Sequence, residues 1–187
     1  MLGIANYAER VGAHLRSQAL SQAFTPERKE FIQRQLCLSH VSSSDGTLDS
    51  DLAEVVLTGS DLYWELGSDV SVLFHWKDAG AAVRELNKSL EDVLQQPSDV
   101  TREEGRYRTV AFSHVSSPDN RINVYAANLG SGVTVRSNSW PAFTELIDTW
   151  KADKHDGLSL SRSLDFLYMR TLLPKDAEHE DGMIFLS

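Results

Sequence analysis

The stretch Val70-Ser71-Val72-Leu73-Phe74-His75-Trp76 decides the fold class, because valine, phenylalanine and tryptophan occupy every second position. A two-residue period is that of a β-strand with one buried face. Asp78 follows it and can cap a helix. The next apolar residues recur at helical spacing: Val83, Leu86, Leu90 and Val93. The sequence therefore predicts a strand followed by a helix that packs on the sheet.

Short β-type runs lie on both sides of this unit. Upstream they are Leu52 to Thr58 and Leu62 to Leu66, which form a three-strand meander with the run from Val70. Downstream they are Tyr107 to His114, Ile122 to Leu129 and Val133 to Arg136, separated by turn residues. Two antiparallel meanders are predicted.

Further helices are predicted from Pro141 and over Leu164 to Leu173, and a last strand over Met183 to Leu186. This order predicts an α+β fold, in which antiparallel sheet meanders carry packed helices in a ferredoxin-like arrangement. The chain ends inside an apolar run, so we expect a domain of residues 51–187 that either is truncated at its C-terminus or ends in a short native strand.

Residues 1–40 are predicted to form a helical arm. Apolar residues recur there at three- and four-residue steps, and Thr25-Pro26-Glu27 has the composition of a helix start. The stripe of the first helix comprises Ile4, Ala8, Val11, Leu15 and Ala19. The Ser-, Asp- and Gly-rich run from Val41 to Ser50 separates this arm from the domain.

The composition excludes several functional classes. With 187 residues and a net charge of −9, the chain does not have the clustered Lys and Arg of a nucleic-acid-binding protein. No apolar run is long enough to insert into a membrane, and the single cysteine, Cys37, cannot form an intrachain disulfide. Because Cys37 lies in a predicted helix between two leucines, we expect it to be packed rather than reactive.

No catalytic, cofactor-binding or metal-binding residue is assigned from the sequence, and no cofactor is expected. The six histidines are scattered singly, without the paired spacing of a zinc site. Asp45, Asp49 and Asp51 offer oxygen ligands but do not have the spacing of an EF-hand. The sequence does not indicate a compartment.

From Asp61 onward the chain resembles a segment of large uncharacterised bacterial proteins that carry a domain of unknown function. The resemblance rests on Gly67 to Phe74, Val133 to Ser139, Asp165 to Arg170, and Glu180 to Ser187. It implies that the chain is part of a longer protein, and it implies no activity. Turn chemistry explains the step Ser137-Asn138-Ser139 better than catalysis does, and Arg170 is best explained as a buried or helix-end charge.

Three functional hypotheses remain. The preferred one is a non-enzymatic interaction or scaffold segment that uses an exposed β-edge or aromatic patch to bind a protein partner or a second copy. The second is a hydrolase whose site assembles from distant residues, such as His75, His114 and Asp119. The third is a module that binds a small ligand, or calcium, through the acidic segment from Val41 to Val70.

Overall fold

The computed structural model describes residues 26–38, 51–60, 67–95, 99–152 and 159–172. Its strands are β1 (Leu52–Gly59), β2 (Val70–Trp76), β3 (Thr101–Tyr107), β4 (Val110–Ser116), β5 (Asn123–Gly130) and β6 (Val133–Ser137). Its helices are α1 (Pro26–Gln35), α2 (Ala79–Leu94), α3 (Trp140–Lys151) and α4 (Leu164–Leu172), with a 3-10 turn over Leu160–Arg162. The prediction of an α+β fold built from antiparallel meanders is confirmed.

The six described strands form one sheet in the order β1-β2-β6-β5-β4-β3, and every neighbouring pair is antiparallel. Helix α2 leads from β2 to the far edge, and the meander from β3 to β6 returns to pair with β2. Three predicted elements lie outside the described residues: the helix of Ile4 to Ala19, and the strands of Leu62 to Leu66 and Met183 to Leu186. The predicted ferredoxin-like arrangement includes the strand Met183 to Leu186. Because that strand is not described, the arrangement stays a prediction.

The prediction of one strand over Tyr107 to His114 is wrong. The chain turns at Arg108-Thr109, where Arg108 adopts a left-handed φ of 50°, and this turn joins two separate strands, β3 and β4. The first of them, Thr-Arg-Glu-Glu-Gly-Arg-Tyr, is mostly exposed, so it has no apolar alternation for a sequence pattern to detect. Neither turn residue is one of the usual turn formers.

Helix α2 packs on the sheet as predicted, but with a slightly rotated face. Asp78 caps it by accepting hydrogen bonds from the backbone N–H groups of Gly80 and Ala81, and these bonds lower the pKa of its carboxyl group. Its buried residues are Ala81, Ala82, Leu86, Ser89, Leu90 and Val93. Val83, which was predicted to be buried, is exposed, because the neighbouring Ala82 faces the sheet instead.

The main core lies between α2 and the alternating residues of β2, as the two-residue period predicts. Val70, Val72, Phe74 and Trp76 are all buried in it, and Ile32, Leu36 and Cys37 from the end of α1 join the same cluster. The opposite face of the sheet buries Val135 and Phe143, the latter from the first turn of α3.

The chain divides into two compact units, residues 1–144 and 145–187. The first contains the whole sheet with α1 and α2, and the second contains the 3-10 turn and α4. None of the residues of α4 is buried.

Candidate interaction surface

Strand β1 lies at one edge of the sheet, and among the described residues only β2 pairs with it. Of its eight residues only Leu52 is buried, and the other seven are exposed. Pairing with β2 is regular from Glu54 to Gly59, after a register shift between Leu52 and Glu54. In the described part of the chain, β1 therefore offers a straight row of backbone N–H and C=O groups along its outer side.

The side chains of this edge are apolar on both faces of the sheet. Val55, Val56 and Leu57 are 41 %, 45 % and 43 % exposed. Val55 and Leu57 share a face with Phe74 and Val72, their partners on β2, while Val56 lies on the other face. Edge strands are normally protected by charges, proline or short length, and between Leu52 and Gly59 this strand has only the charge of Glu54. Such an edge is a template for another strand.

The opposite edge of the same sheet is protected. Strand β3 carries Arg102, Glu103, Glu104 and Arg106 within seven residues. Arg102 Nε lies 2.6 Å from Glu104 Oε1, and the carboxylate of Glu104 accepts a 3.0 Å hydrogen bond from Ser113 on β4. The two edges differ in side-chain chemistry, and only β3 has the charges that discourage strand addition.

Acidic groups surround β1 in sequence and in the described structure. Asp51 precedes the strand, Glu54 lies within it, and Asp69 accepts hydrogen bonds from the backbone N–H and the hydroxyl of Ser60 just after it. The first lysine or arginine after the strand is Lys77, whose backbone N–H donates to the carbonyl of Asp51 at 2.8 Å. The edge is thus apolar along its length and negative at its ends.

Helix α4 is a second exposed apolar element, in the unit of residues 145–187. Leu164 is 83 % exposed, and Tyr168 and Leu172 are also largely exposed at four-residue steps along the same side of the helix. Arg170, half-buried in the last turn, fits the expected helix-end charge.

An aromatic cluster covers the sheet face opposite α2. Its members are Tyr107, Phe112, Tyr125, Trp140 and Phe143, with neighbouring ring centroids 5.1–6.3 Å apart. Trp76 on the other face is buried, whereas Trp140 of this cluster is 38 % exposed. Because the cluster is only partly covered, it is an aromatic patch of the kind the sequence predicted.

His114 lies beside this cluster, in a setting that accounts for its polar atoms. Its ring stacks on Tyr125 at 4.1 Å and 4°, and its Nε2 lies 2.9 Å from Asn123 Oδ1. Burial raises the pKa of the Tyr125 hydroxyl, and the negative charge of Glu103 raises it further. A phenol with a raised pKa stays protonated at neutral pH, so it is a poor base.

The structure does not bring the suggested hydrolase residues together. His75 is exposed on β2 and His114 lies on β4, so two strands separate them, which is a lateral distance of about 14 Å. Asp119 lies in the exposed turn between β4 and β5, where it accepts hydrogen bonds from the Ser117 hydroxyl and the Arg121 backbone. These bonds lower the pKa of Asp119. They show that its carboxylate stabilises the turn.

Sequence reasoning missed the buried cation of this fold, Arg136. This side chain is 1 % exposed, and its guanidinium donates to the carbonyls of Leu36 and Cys37 at the end of α1 and to Ser89 Oγ on α2. The guanidinium carbon also lies 5.5 Å from the ring centroid of Phe74. Burial lowers the pKa of Arg136 to about 10, against the opposing effects of Cys37 and Glu85.

Arg136 is therefore a structural group, which holds the C-terminal end of α1 against the sheet. Cys37 is 1 % exposed, and burial raises the pKa of its thiol to about 11. The expectation that Cys37 is packed is confirmed, and the raised pKa disfavours the thiolate, which is the reactive form of the side chain.

The serines of the Ser137-Asn138-Ser139 step form local turn bonds, with the Ser139 backbone N–H donating to Ser137 Oγ, whereas Asn138 forms long-range bonds. Asn138 Oδ1 accepts a 2.7 Å hydrogen bond from the backbone of Val70, and its Nδ2 donates to Ser68 O and Gln35 Oε1. One amide side chain thus connects β6, the start of β2 and the end of α1.

We expect the replacement of Asn138 by aspartate to lower the free energy of unfolding by about 2 kcal/mol, because both Nδ2 donors are lost and a carboxylate faces two oxygen acceptors. Urea unfolding measures this change. Asn128→Asp is the matched control, since the exposed Asn128 side chain only accepts, from Gly130 N–H, and aspartate keeps that bond. Equal stability of the two variants would contradict the connecting role of Asn138.

The described residues contain no group of three or more His, Cys, Asp or Glu side chains that could hold a metal ion. Within the same residues no helix is long and apolar enough to span a membrane. Asp45 and Asp49 of the suggested calcium segment lie outside the described residues.

No protein-family model, curated protein or solved structure matches the chain.

Proposed function

We propose that this chain is a non-enzymatic interaction segment of a larger bacterial protein, and that it binds a partner protein by strand addition to the outer edge of β1. The observation that carries the proposal is the exposure of Val55, Val56 and Leu57 on an edge strand that pairs on one side only among the described residues. The resemblance to segments of large bacterial proteins supports the wider context.

Strand addition uses both properties of this edge. The backbone N–H and C=O groups supply affinity for any extended chain, and the side chains that alternate between the two faces supply specificity. Burying the remaining exposed surface of the three apolar side chains contributes on the order of 1 kcal/mol each. Each added backbone hydrogen bond contributes about 1 kcal/mol more.

Site-specific photocrosslinking tests this proposal. A photoreactive amino acid is placed at Val56 on β1 in the full chain, and at Arg106 on the charged edge β3 as the matched control. In cells of the source organism, we expect the Val56 site to crosslink to one partner, at a single extended segment that mass spectrometry identifies. A synthetic peptide of that segment should then slow amide hydrogen exchange along β1 of the purified chain.

Three outcomes would contradict the proposal. The first is equal crosslinking at Arg106, which indicates non-specific contact. The second is crosslinking of Val56 only within its own chain. The third is a captured segment that leaves hydrogen exchange in β1 unchanged.

A further inference from the structure

We infer that the strand that binds β1 is apolar in its centre and carries lysine or arginine at its ends, and that it is not a second copy of this chain. This inference rests on the proposed function, because it names the chemistry of the partner at the same edge. It follows from the charges around β1.

Between Arg34 and Lys77 the chain carries no lysine or arginine. The acidic residues of this stretch are Asp45, Asp49, Asp51, Glu54, Asp61, Glu65 and Asp69. Strand β1 lies in the middle of it, so acidic groups flank the strand at both ends along the chain. A partner strand places one of its ends near the described residues Asp51 and Glu54 and the other near Asp69, within the distance of about 10 Å over which charges interact at ordinary ionic strength.

The cations near the strand do not cancel this negative charge. Lys77 follows β2 next to Asp51, and Arg84 pairs with Asp78 on the exposed start of α2, with Arg84 Nη2 3.5 Å from Asp78 Oδ2. His75 lies beside Glu54 on β2 and is exposed. Among the described groups around β1, the carboxylates Asp51, Glu54, Asp69 and Asp78 outnumber the cations Lys77 and Arg84, so the net charge of these groups is negative.

Self-association through β1 is disfavoured by the same charges. An antiparallel pair of two β1 strands places Asp51 and Glu54 of one copy at the end where Asp69 of the other copy lies, so each end of the interface gains acidic neighbours. Like charges across an interface oppose pairing and select against the wrong partner. A basic-flanked strand avoids this repulsion and gains from steering during encounter.

Two synthetic peptides test the inference on the full chain. Both share the core Thr-Val-Thr-Val-Ile-Thr-Val, and one carries two lysines at each end where the other carries two glutamates. Binding is measured by titration, and its location by hydrogen exchange of the β1 amides. We expect the lysine peptide to bind at least about tenfold more tightly, and its advantage to shrink as NaCl rises from about 0.05 M to about 0.5 M.

Charge variants of the chain complete the test. Glu54→Lys should weaken binding of the lysine peptide by about threefold or more, whereas Glu103→Lys on the opposite edge should leave it unchanged. Glu54→Gln gives the same direction with a smaller effect and does not introduce a new cation.

Each alternative result overturns the inference. The two peptides could bind β1 equally, or Val56 could crosslink to a segment without basic residues. Either result would remove the charge preference and leave strand addition in place. Sedimentation could instead show a dimer, with the photoreactive group at Val56 of one copy crosslinking to β1 of the other. That result would identify a second copy as the occupant. If neither peptide binds, the inference fails, and the crosslinking experiment decides separately whether the proposed function also fails.

Discussion

Replacing Arg136 with methionine is expected to lower the free energy of unfolding by about 3 kcal/mol, one of the two largest effects we expect from a single substitution. Methionine fills much of the same volume but donates no hydrogen bond. The carbonyls of Leu36 and Cys37 and the hydroxyl of Ser89 then lose their donor in a site from which water is excluded. Urea unfolding followed by tryptophan fluorescence measures the change as a lower midpoint with an unchanged slope.

Arg121→Met is the matched control for Arg136. Arg121 forms an ion pair, with its Nε 3.2 Å from Asp119 Oδ2, and both side chains are more than half exposed. Exposed pairs contribute about 0–1 kcal/mol, so this variant should unfold almost like the parent. If the two substitutions cost the same, the buried guanidinium does not secure α1, and that assignment is wrong.

The second large effect is expected at Gly132, in the turn between β5 and β6. Gly132 has a φ of +77°, and a Cβ atom added to it would lie 2.6 Å from the carbonyl oxygen of Trp76. That approach is part of the sheet, because the backbone N–H of Trp76 donates to the carbonyl of Gly132 at 2.9 Å. We expect Gly132→Ala to cost about 3 kcal/mol, from left-handed backbone strain together with a backbone clash.

Gly130 in the same turn separates these two contributions. It has a φ of +90°, but a Cβ atom there meets nothing within 4 Å. Gly130→Ala should therefore cost only the backbone strain, about 1–2 kcal/mol. Thermal and urea unfolding of both variants test the difference. A smaller loss at Gly132 than at Gly130 would show that the close approach to Trp76 is relieved without cost.

The parts of the fold that sequence could predict are those with local periodicity or local turn chemistry. The two-residue period of Val70 to Trp76 and the capping aspartate Asp78 place β2 and α2 correctly. Strand β3 has no such period, since it is an exposed edge whose side chains are mostly charged. Val83 was assigned to the buried face because four apolar residues fit a helical stripe, but the smaller Ala82 allows the closer approach to the sheet.

The sequence predicted the type of candidate site but not its position. An exposed β-edge or an aromatic patch was expected, but nothing local distinguishes β1 from a covered strand, because its exposure depends on which strands lie beside it. Arg136 was missed for a similar reason. Its partners Leu36 and Cys37 are 100 and 99 residues away in the chain, and only the folded sheet brings them together.

The difference between the two sheet edges also affects the stoichiometry of assembly. A strand that adds to β1 becomes the new edge on that side, while the other edge of the described sheet remains the charged strand β3. The sheet can therefore add strands only at the β1 edge. A partner strand whose own outer edge carries charges or proline prevents further addition there. Under the proposed strand addition, this asymmetry favours a complex of defined size over the open-ended polymers that form when both edges of a sheet can accept a neighbour.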